Sequence, residues 1–270
     1  MARVVACAYP ISRTTSCVAA MRLARVATPR SVKAVTCASV VAGDRRDHAG
    51  LSQSYRFPMQ TLPISEVKDR LNDLVDAASR THEQVTMNEK VNFPAVPMLG
   101  VIGVAPESGE IATMPAGKHG GNLDNNMNRK GSIVHLPVKH KGALLGMGDM
   151  HASMGDGEIC GTGVEIAGDV LIKVDVIKGI TTDFPVTETA DSWITHGVAV
   201  EDLTLALKLA CEEAAGLLVN HWGFTYEDAF IFLSVAGDLG IAQSVHPSSG
   251  TVIAKMRVPK IAACPKPFKI

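Results

Sequence analysis

The sequence predicts a mainly β protein of the α+β class, with strands through its middle and helices near its carboxyl end. Three observations lead there. Residues 169–177 alternate apolar and polar side chains, the pattern of a strand with one buried face. Short apolar runs broken by glycines occupy the region from residue 130 to about 165. Helical spacing in the carboxyl-terminal half is confined to two stretches beyond residue 200.

Taken in order, residues 1–43 hold Arg3, Arg13, Arg22, Arg25, Arg30 and Lys33 with no acidic residue, amid much Ala, Val, Ser and Thr. That is the profile of an organellar transit peptide, and equally of sequence translated from upstream of a true start. The second reading is preferred, and on either one residues 1–55 are expected to be disordered or outside the folded body. Val67, Leu71, Leu74 and Val75 then follow a helical stripe with Ser65 as its N-cap, and residues 81–87 read as a short strand. Ser132-Ile133-Val134-His135-Leu136-Pro137-Val138 is a further β pattern, in which His135, like His140 nearby, reads as structural or exposed and not as a ligand.

The apolar run Gly142-Ala143-Leu144-Leu145-Gly146-Met147 predicts a buried strand that carries Asp149 to its end. In residues 169–177, Val170, Ile172, Val174 and Val176 share one face and Lys173 and Asp175 the other. Residues 201–219 form an amphipathic helix, with Leu203, Leu207, Ala210, Ala214 and Leu217 toward the sheet and Glu212 and Glu213 toward solvent. A second helix opens on the capping box Thr225-Tyr226-Glu227-Asp228 and runs to Gly237, after which Asp238 reads as a turn or cap residue.

The chemistry is concentrated in Gly148-Asp149-Met150-His151-Ala152-Ser153-Met154-Gly155-Asp156-Gly157-Glu158. Asp149 and His151 are two apart, as are Asp156 and Glu158, so in extended backbone each pair projects to one face. Glycines at 146, 148, 155, 157 and 161 let the loop bring its backbone close to a ligand. An imidazole with several carboxylates suits zinc, manganese or iron, whereas carboxylates alone suit calcium or magnesium. Zinc is favoured, with calcium or manganese as alternatives.

Rival motifs fail on their own chemistry. Residues 155–161 match G-x-G-x-x-G, yet Asp156 and Glu158 would repel a pyrophosphate and the segment that follows alternates like a strand. A calcium loop starting at Asp149 would need acids or amides where His151 and Ser153 stand. No G-x-S-x-G elbow occurs, and Cys160 reads as a small buried residue opening a strand.

With His119-Gly120-Gly121-Asn122-Leu123-Asp124, Gly148-Asp149-Met150-His151-Ala152, Gly155-Asp156-Gly157-Glu158 and Gly163-Val164-Glu165 in this order, the chain resembles the acetamidase/formamidase family. The resemblance runs from about residue 92 to 260 and includes Ser234-Val235-Ala236-Gly237-Asp238-Leu239. It implies a β-sandwich or barrel core with carboxyl-terminal helices, and metal-dependent hydrolysis of a short linear amide to a carboxylate and ammonia. It further implies Asp124, Asp149, His151 and Glu158 as metal residues. Glu158, Glu165, His119 and Asn122 are the implied catalytic ones, with either glutamate as the proton carrier and the Asn122 amide as a candidate for the oxyanion. Homo-oligomeric assembly is expected on the same ground.

Residues 59–87 resemble instead the amino-terminal part of Phd/YefM and RelB-type antitoxins. The sequence therefore divides into an extension (1–55), an antitoxin-like helix and strand (56–90) and an amidase-like domain (91–270), with the amino-terminal β region of the amidase family replaced. The competing functional reading is an inactive truncated or fused amidase whose antitoxin-like segment contacts DNA or a toxin.

Composition narrows the field. A net charge of -1 gives no bulk attraction to nucleic acid, and no stretch reaches the roughly 18 apolar residues of a membrane span. The cysteines, Cys7, Cys17, Cys37, Cys160, Cys211 and Cys264, contain no C-x-x-C pair, so reduced thiols in a cytoplasmic setting are the expectation.

Overall fold

The computed structural model describes residues 2–10, 33–37, 84–87, 91–180, 182–245 and 250–262. Its strands are β1 (Ala2–Pro10), β2 (Lys33–Cys37), β3 (Gln84–Met87), β4 (Val91–Pro94), β5 (Met98–Gly103), β6 (Ala116–Gly117), β7 (Gly120–Asn122), β8 (Ile133–Leu136), β9 (Gly146–His151), β10 (Gly168–Val176), β11 (Val186–Glu188) and β12 (Ser192–Val200). Two helices follow, α1 (Leu203–Trp222) and α2 (Tyr226–Ala236), and then β13 (Asp238–Gln243) and β14 (Thr251–Pro259).

Eight strands form one sheet in the order β13-β14-β12-β11-β8-β1-β10-β2, and four form a second in the order β6-β7-β5-β9. All the pairings are antiparallel. Among the described residues the large sheet ends in the edges β13 and β2, so it is open and no barrel is formed there. β1 and β2 lie within residues 1–55, which the composition had set outside the folded body, yet they pair with β8 and β10 of the large sheet. The helical stripe at 65–78, and the antitoxin-like segment before β3, lie outside the described residues.

Two apolar layers follow from the strand period of two. One lies between the sheets and contains Leu99 and Ile102 of β5, Met147 and Met150 of β9, Val134 and Leu136 of β8, and Ile253 of β14. The other lies between the large sheet and the helices, where Trp193, Ala254, Met256 and Val258 meet Ala206, Ala210, Ala214, Leu218 and Leu233. On β12, even-numbered Val198 packs toward the small sheet and odd-numbered Trp193 and Ala199 toward the helices. The layers are therefore small sheet, large sheet and helices.

Small residues decide how closely α1 approaches. The Asp202 side chain caps the helix by accepting from the Leu205 N–H at 2.8 Å, and Gly223 ends it in the left-handed conformation at φ 72. Its buried face is an alanine stripe, and a Cβ on Gly197 of β12 would run into the backbone of Ala206 and Ala210. Glu213, expected in solvent, is instead half-buried and accepts the backbone N–H groups of Asp183 and Phe184 at 3.2 and 3.3 Å. Thr225 caps α2 through the Asp228 N–H at 3.1 Å, as the capping box predicts. Asp238 opens β13 and pairs with Arg257 at 3.1 Å.

Candidate metal and catalytic centre

Five titratable side chains converge where the two sheets face each other. Asp124 follows β7, Asp149 and His151 stand on β9, Glu158 lies in the loop after β9, and Glu165 lies opposite His151 through a backbone bridge. They form two overlapping groups, Asp124–His151–Glu158 and Asp149–His151–Glu165, whose ligating atoms lie within 4.8 Å of one another. Asp124, His151 and Glu158 are buried, and Asp149 and Glu165 lie nearer the surface.

The backbone is bent to bring them there. Among the described residues, six non-glycine positions have positive φ, and they include Asp124 at 40°, Asp149 at 57° and Glu158 at 43°. Such conformations cost L residues energy and persist where the surroundings impose them. Asp149 thus breaks the simple strand alternation, and Gly157 at φ 88 with Glu158 turns the second carboxylate pair apart. Glu158 points inward, whereas Asp156 is exposed and pairs with Lys255 at 2.5 Å, so the expectation that both share one face is corrected.

Close approach needs missing side chains. A Cβ on Gly100 of β5 would meet the carboxylate oxygens of Asp149 and Asp124, and one on Gly163 would lie 2.7 Å from Cγ of the His151 ring. The backbone N–H groups of Leu123 and Asp124 donate to Gly100 O at 3.0 and 3.2 Å, which ties the Asp124 turn to β5. Next to it, the Asn125 amide reaches Nε2 of His196 at 2.7 Å, and Nδ1 of His196 donates to Pro185 O at 2.8 Å. Pro185 O can only accept, so His196 is the Nδ1–H tautomer and its Nε2 accepts from Asn125. Burial holds His196 near pKa 4, and it is neutral.

The imidazole of His151 separates the carboxylates. Its Nε2 lies 2.8 Å from Glu165 Oε1 and 3.7 Å from Asp149 Oδ1, and its Nδ1 lies 3.2 Å from Met98 Sδ and 4.0 Å from Asp124 Oδ1. Burial alone would lower its pKa, but the neighbouring Asp149 and Glu165 carboxylates outweigh that and raise it well above the ordinary histidine value. Burial, reinforced by Glu158 and Asp149, pushes Asp124 up to about 8, and burial likewise raises Glu158. Asp124 Oδ1 and Glu165 Oε2 are buried without a hydrogen-bond partner among the described residues.

Of the other sequence candidates, His119 sits on the turn between β6 and β7 with its ring against Gly121, and Asn122 ends β7. Neither belongs to the two groups. Cys160, expected to be buried in a strand, is exposed in a turn. The apolar run before Asp149 is a turn over residues 141–144, and the strand starts only at Gly146. The sequence reading missed Gln243, whose Nε2 donates to Asp124 Oδ2 at 2.6 Å and Glu158 Oε2 at 2.8 Å. No motif marks a single glutamine at the end of a strand.

The acetamidase/formamidase family model matches residues 58–260. An acetamidase of Mycolicibacterium smegmatis is 34% identical over 147 residues, covering 46% of this chain and 36% of that protein. A formamidase of Methylophilus methylotrophus is 38% identical over 145 residues, covering 46% and 35%. This chain therefore matches only about a third of the length of those relatives. Among solved structures, a recombinant predicted acetamidase/formamidase from Thermoanaerobacter tengcongensis superposes with a TM-score of 0.63 at 41% identity, over 66% of this chain and 57% of that one. An acetamidase from Bacillus halodurans gives 0.62 at 39% identity, over 66% and 59%.

Proposed function

Because the chain belongs to the acetamidase/formamidase family, we propose that it hydrolyses a short linear amide, of the formamide or acetamide class, to a carboxylate and ammonia. The proposed centre is a divalent cation held by Asp124, His151 and Glu158, with Asp149 within reach.

The observation that carries this reading is the burial of Asp124 and Glu158 against one imidazole. Carboxylates crowded into a dry space are costly unless a cation compensates them. The donor set fits one. Asp124 Oδ1 has no hydrogen-bond partner among the described residues, and Gly100 leaves open the space that its missing side chain would fill between Asp124 and Asp149. One imidazole among carboxylates favours zinc, with manganese next. A cation of this kind polarises an amide carbonyl and acidifies a water.

The chain's own groups supply orientation and proton transfer. Glu165 Oε1 accepts from Nε2 of His151, which fixes the ring and leaves Nδ1 facing Asp124, as carboxylate partners do for metal-bound histidines. Thr162 Oγ1 donates to the same oxygen at 3.0 Å, so Glu165 is held from two sides. Its second oxygen, Oε2, is the proton carrier in this reading, taking a proton from the attacking water and returning it to the departing nitrogen. Glu158 is assigned to the cation instead, since Gln243 already occupies Oε2 of its carboxylate.

Two variants separate these roles. Glu165→Gln is expected to keep bound metal while kcat falls by about 10²–10⁴-fold, the usual loss for a general base. Glu158→Gln is expected to lose the metal itself. Metal content by mass spectrometry beside ammonia release from formamide checks both, and a metal-free Glu165→Gln or a metal-replete, active Glu158→Gln would reverse the assignment.

A further inference from the structure

Gln243 is 1% exposed and sits where β13 leaves its regular pairing with β14. The register runs Ile241 to Ala254 and then Gln243 to Ile253, so Ala242 is the extra residue of a bulge. A bulge re-aims the side chain that follows it. The loop carrying Glu158 is stitched to this point, because Gly157 N–H donates to Ala242 O at 2.9 Å and Ser244 donates to Gly157 O through both N–H and Oγ, at 2.9 and 2.8 Å. Asp124 arrives from elsewhere, on the turn tied to β5 of the small sheet. Two buried carboxylates on separate elements thus meet at one amide nitrogen.

We propose that Gln243 is a positioning residue that sets the geometry of the candidate metal centre, its two amide hydrogens fixing the separation of Asp124 and Glu158 and keeping Asp124 Oδ1 turned toward His151. The bonds, at 2.6 and 2.8 Å, use Oδ2 of Asp124 and Oε2 of Glu158, while Asp124 Oδ1 lies 4.0 Å from Nδ1 of His151. The amide has both hydrogens on one nitrogen, which lysine or arginine would match only by adding a charge that competes with a cation. A side chain of equal length without N–H groups would leave two carboxylates facing each other with nothing between them. The proposal rests on the reading that this cluster holds a divalent cation, and Gln243 acts through the carboxylates without touching the substrate.

The test uses the full chain with Gln243→Met and Gln243→Asn. Zinc affinity is measured by competition with a chelator, and crystal structures of the metal-free proteins give the separation of the two carboxylates. The expected result is zinc binding about 10–100-fold weaker, typical of losing a group that orients metal ligands, with Asp124 and Glu158 moved apart. Gln243→Asn keeps an amide in the pocket but is one methylene short, so it decides the matter if the Met variant does not fold. Wild-type affinity and wild-type separation in the folded variants would overturn the proposal. If the wild-type chain binds no zinc, the metal reading falls, and the separation in the metal-free variants alone decides the role of Gln243.

Discussion

Asp124 carries an electrostatic cost in the centre. Its carboxyl is raised in the fold from the ordinary aspartate range near 4 to about 8, chiefly by burial. A raised carboxyl means that the folded protein holds a proton which the unfolded chain releases, so the stabilisation is complete below pH 4 and is lost as pH rises toward 8. The metal-free protein is therefore expected to lose stability across that window, on the order of a few kcal/mol, since each tenfold change in acidity is worth about 1.4 kcal/mol. Added zinc should remove the loss and release protons on binding. Asp124→Asn should reduce the dependence in metal-free protein, leaving the share that Glu158 and His151 contribute in the same direction, and abolish zinc binding, with thermal midpoints between pH 4 and pH 9 as the measurement. His196 works in the opposite direction. Its pKa is lowered by burial to about 4, so its share of stability is present above the usual histidine value of about 6.5 and is lost as pH falls to 4, with or without zinc.

Among the elements, β5 and β12 depend on residues that are not there. Gly100→Ala would drive a methyl group into the Asp124 and Asp149 carboxylates. The expected outcome is a folded protein with zinc affinity reduced at least about tenfold, checked by chelator competition. Gly197→Ala would push α1 off the large sheet, since the new carbon would strike Ala206 and Ala210. Overpacking of that kind costs about 1–3 kcal/mol, read from urea unfolding.

These elements also show what a sequence displays. The cap of α2, and the inward Val170 and Ile172 of β10, follow from local rules and were legible, whereas the α1 cap Asp202 falls inside the helix expected over 201–219. The gathering of Asp124, His151 and Glu158 was legible through the resemblance of their short motifs to those of the family. Gln243 was not, since its position depends on a bulge and on a partner 119 residues away. Cys160 and Asp156 were misread for a related reason, because positive φ at Gly157 and Glu158 overrides the alternation assumed for extended backbone.

At the scale of the molecule, the layered arrangement ties the centre to both sheets. The Asp124 turn is bonded to β5 on one side, and through Asn125 it reaches His196 of β12 on the other, so one loop spans both sheets. The Glu158 loop is bonded to β13 at the edge of the large sheet. Separation of the sheets would pull the two buried carboxylates apart, so metal binding should be coupled to global stability, and zinc at 100 times its dissociation constant should add about 2.7 kcal/mol. Among the described residues no helix is long and apolar enough to cross a membrane. The most direct measurement is ammonia release from formamide and acetamide by the full chain, before chelation, after chelation and after zinc is returned. Release that stops with chelation and recovers at one zinc per chain is the predicted result. Release that persists in protein shown to be free of metal, or no release from folded, zinc-loaded protein, would contradict it.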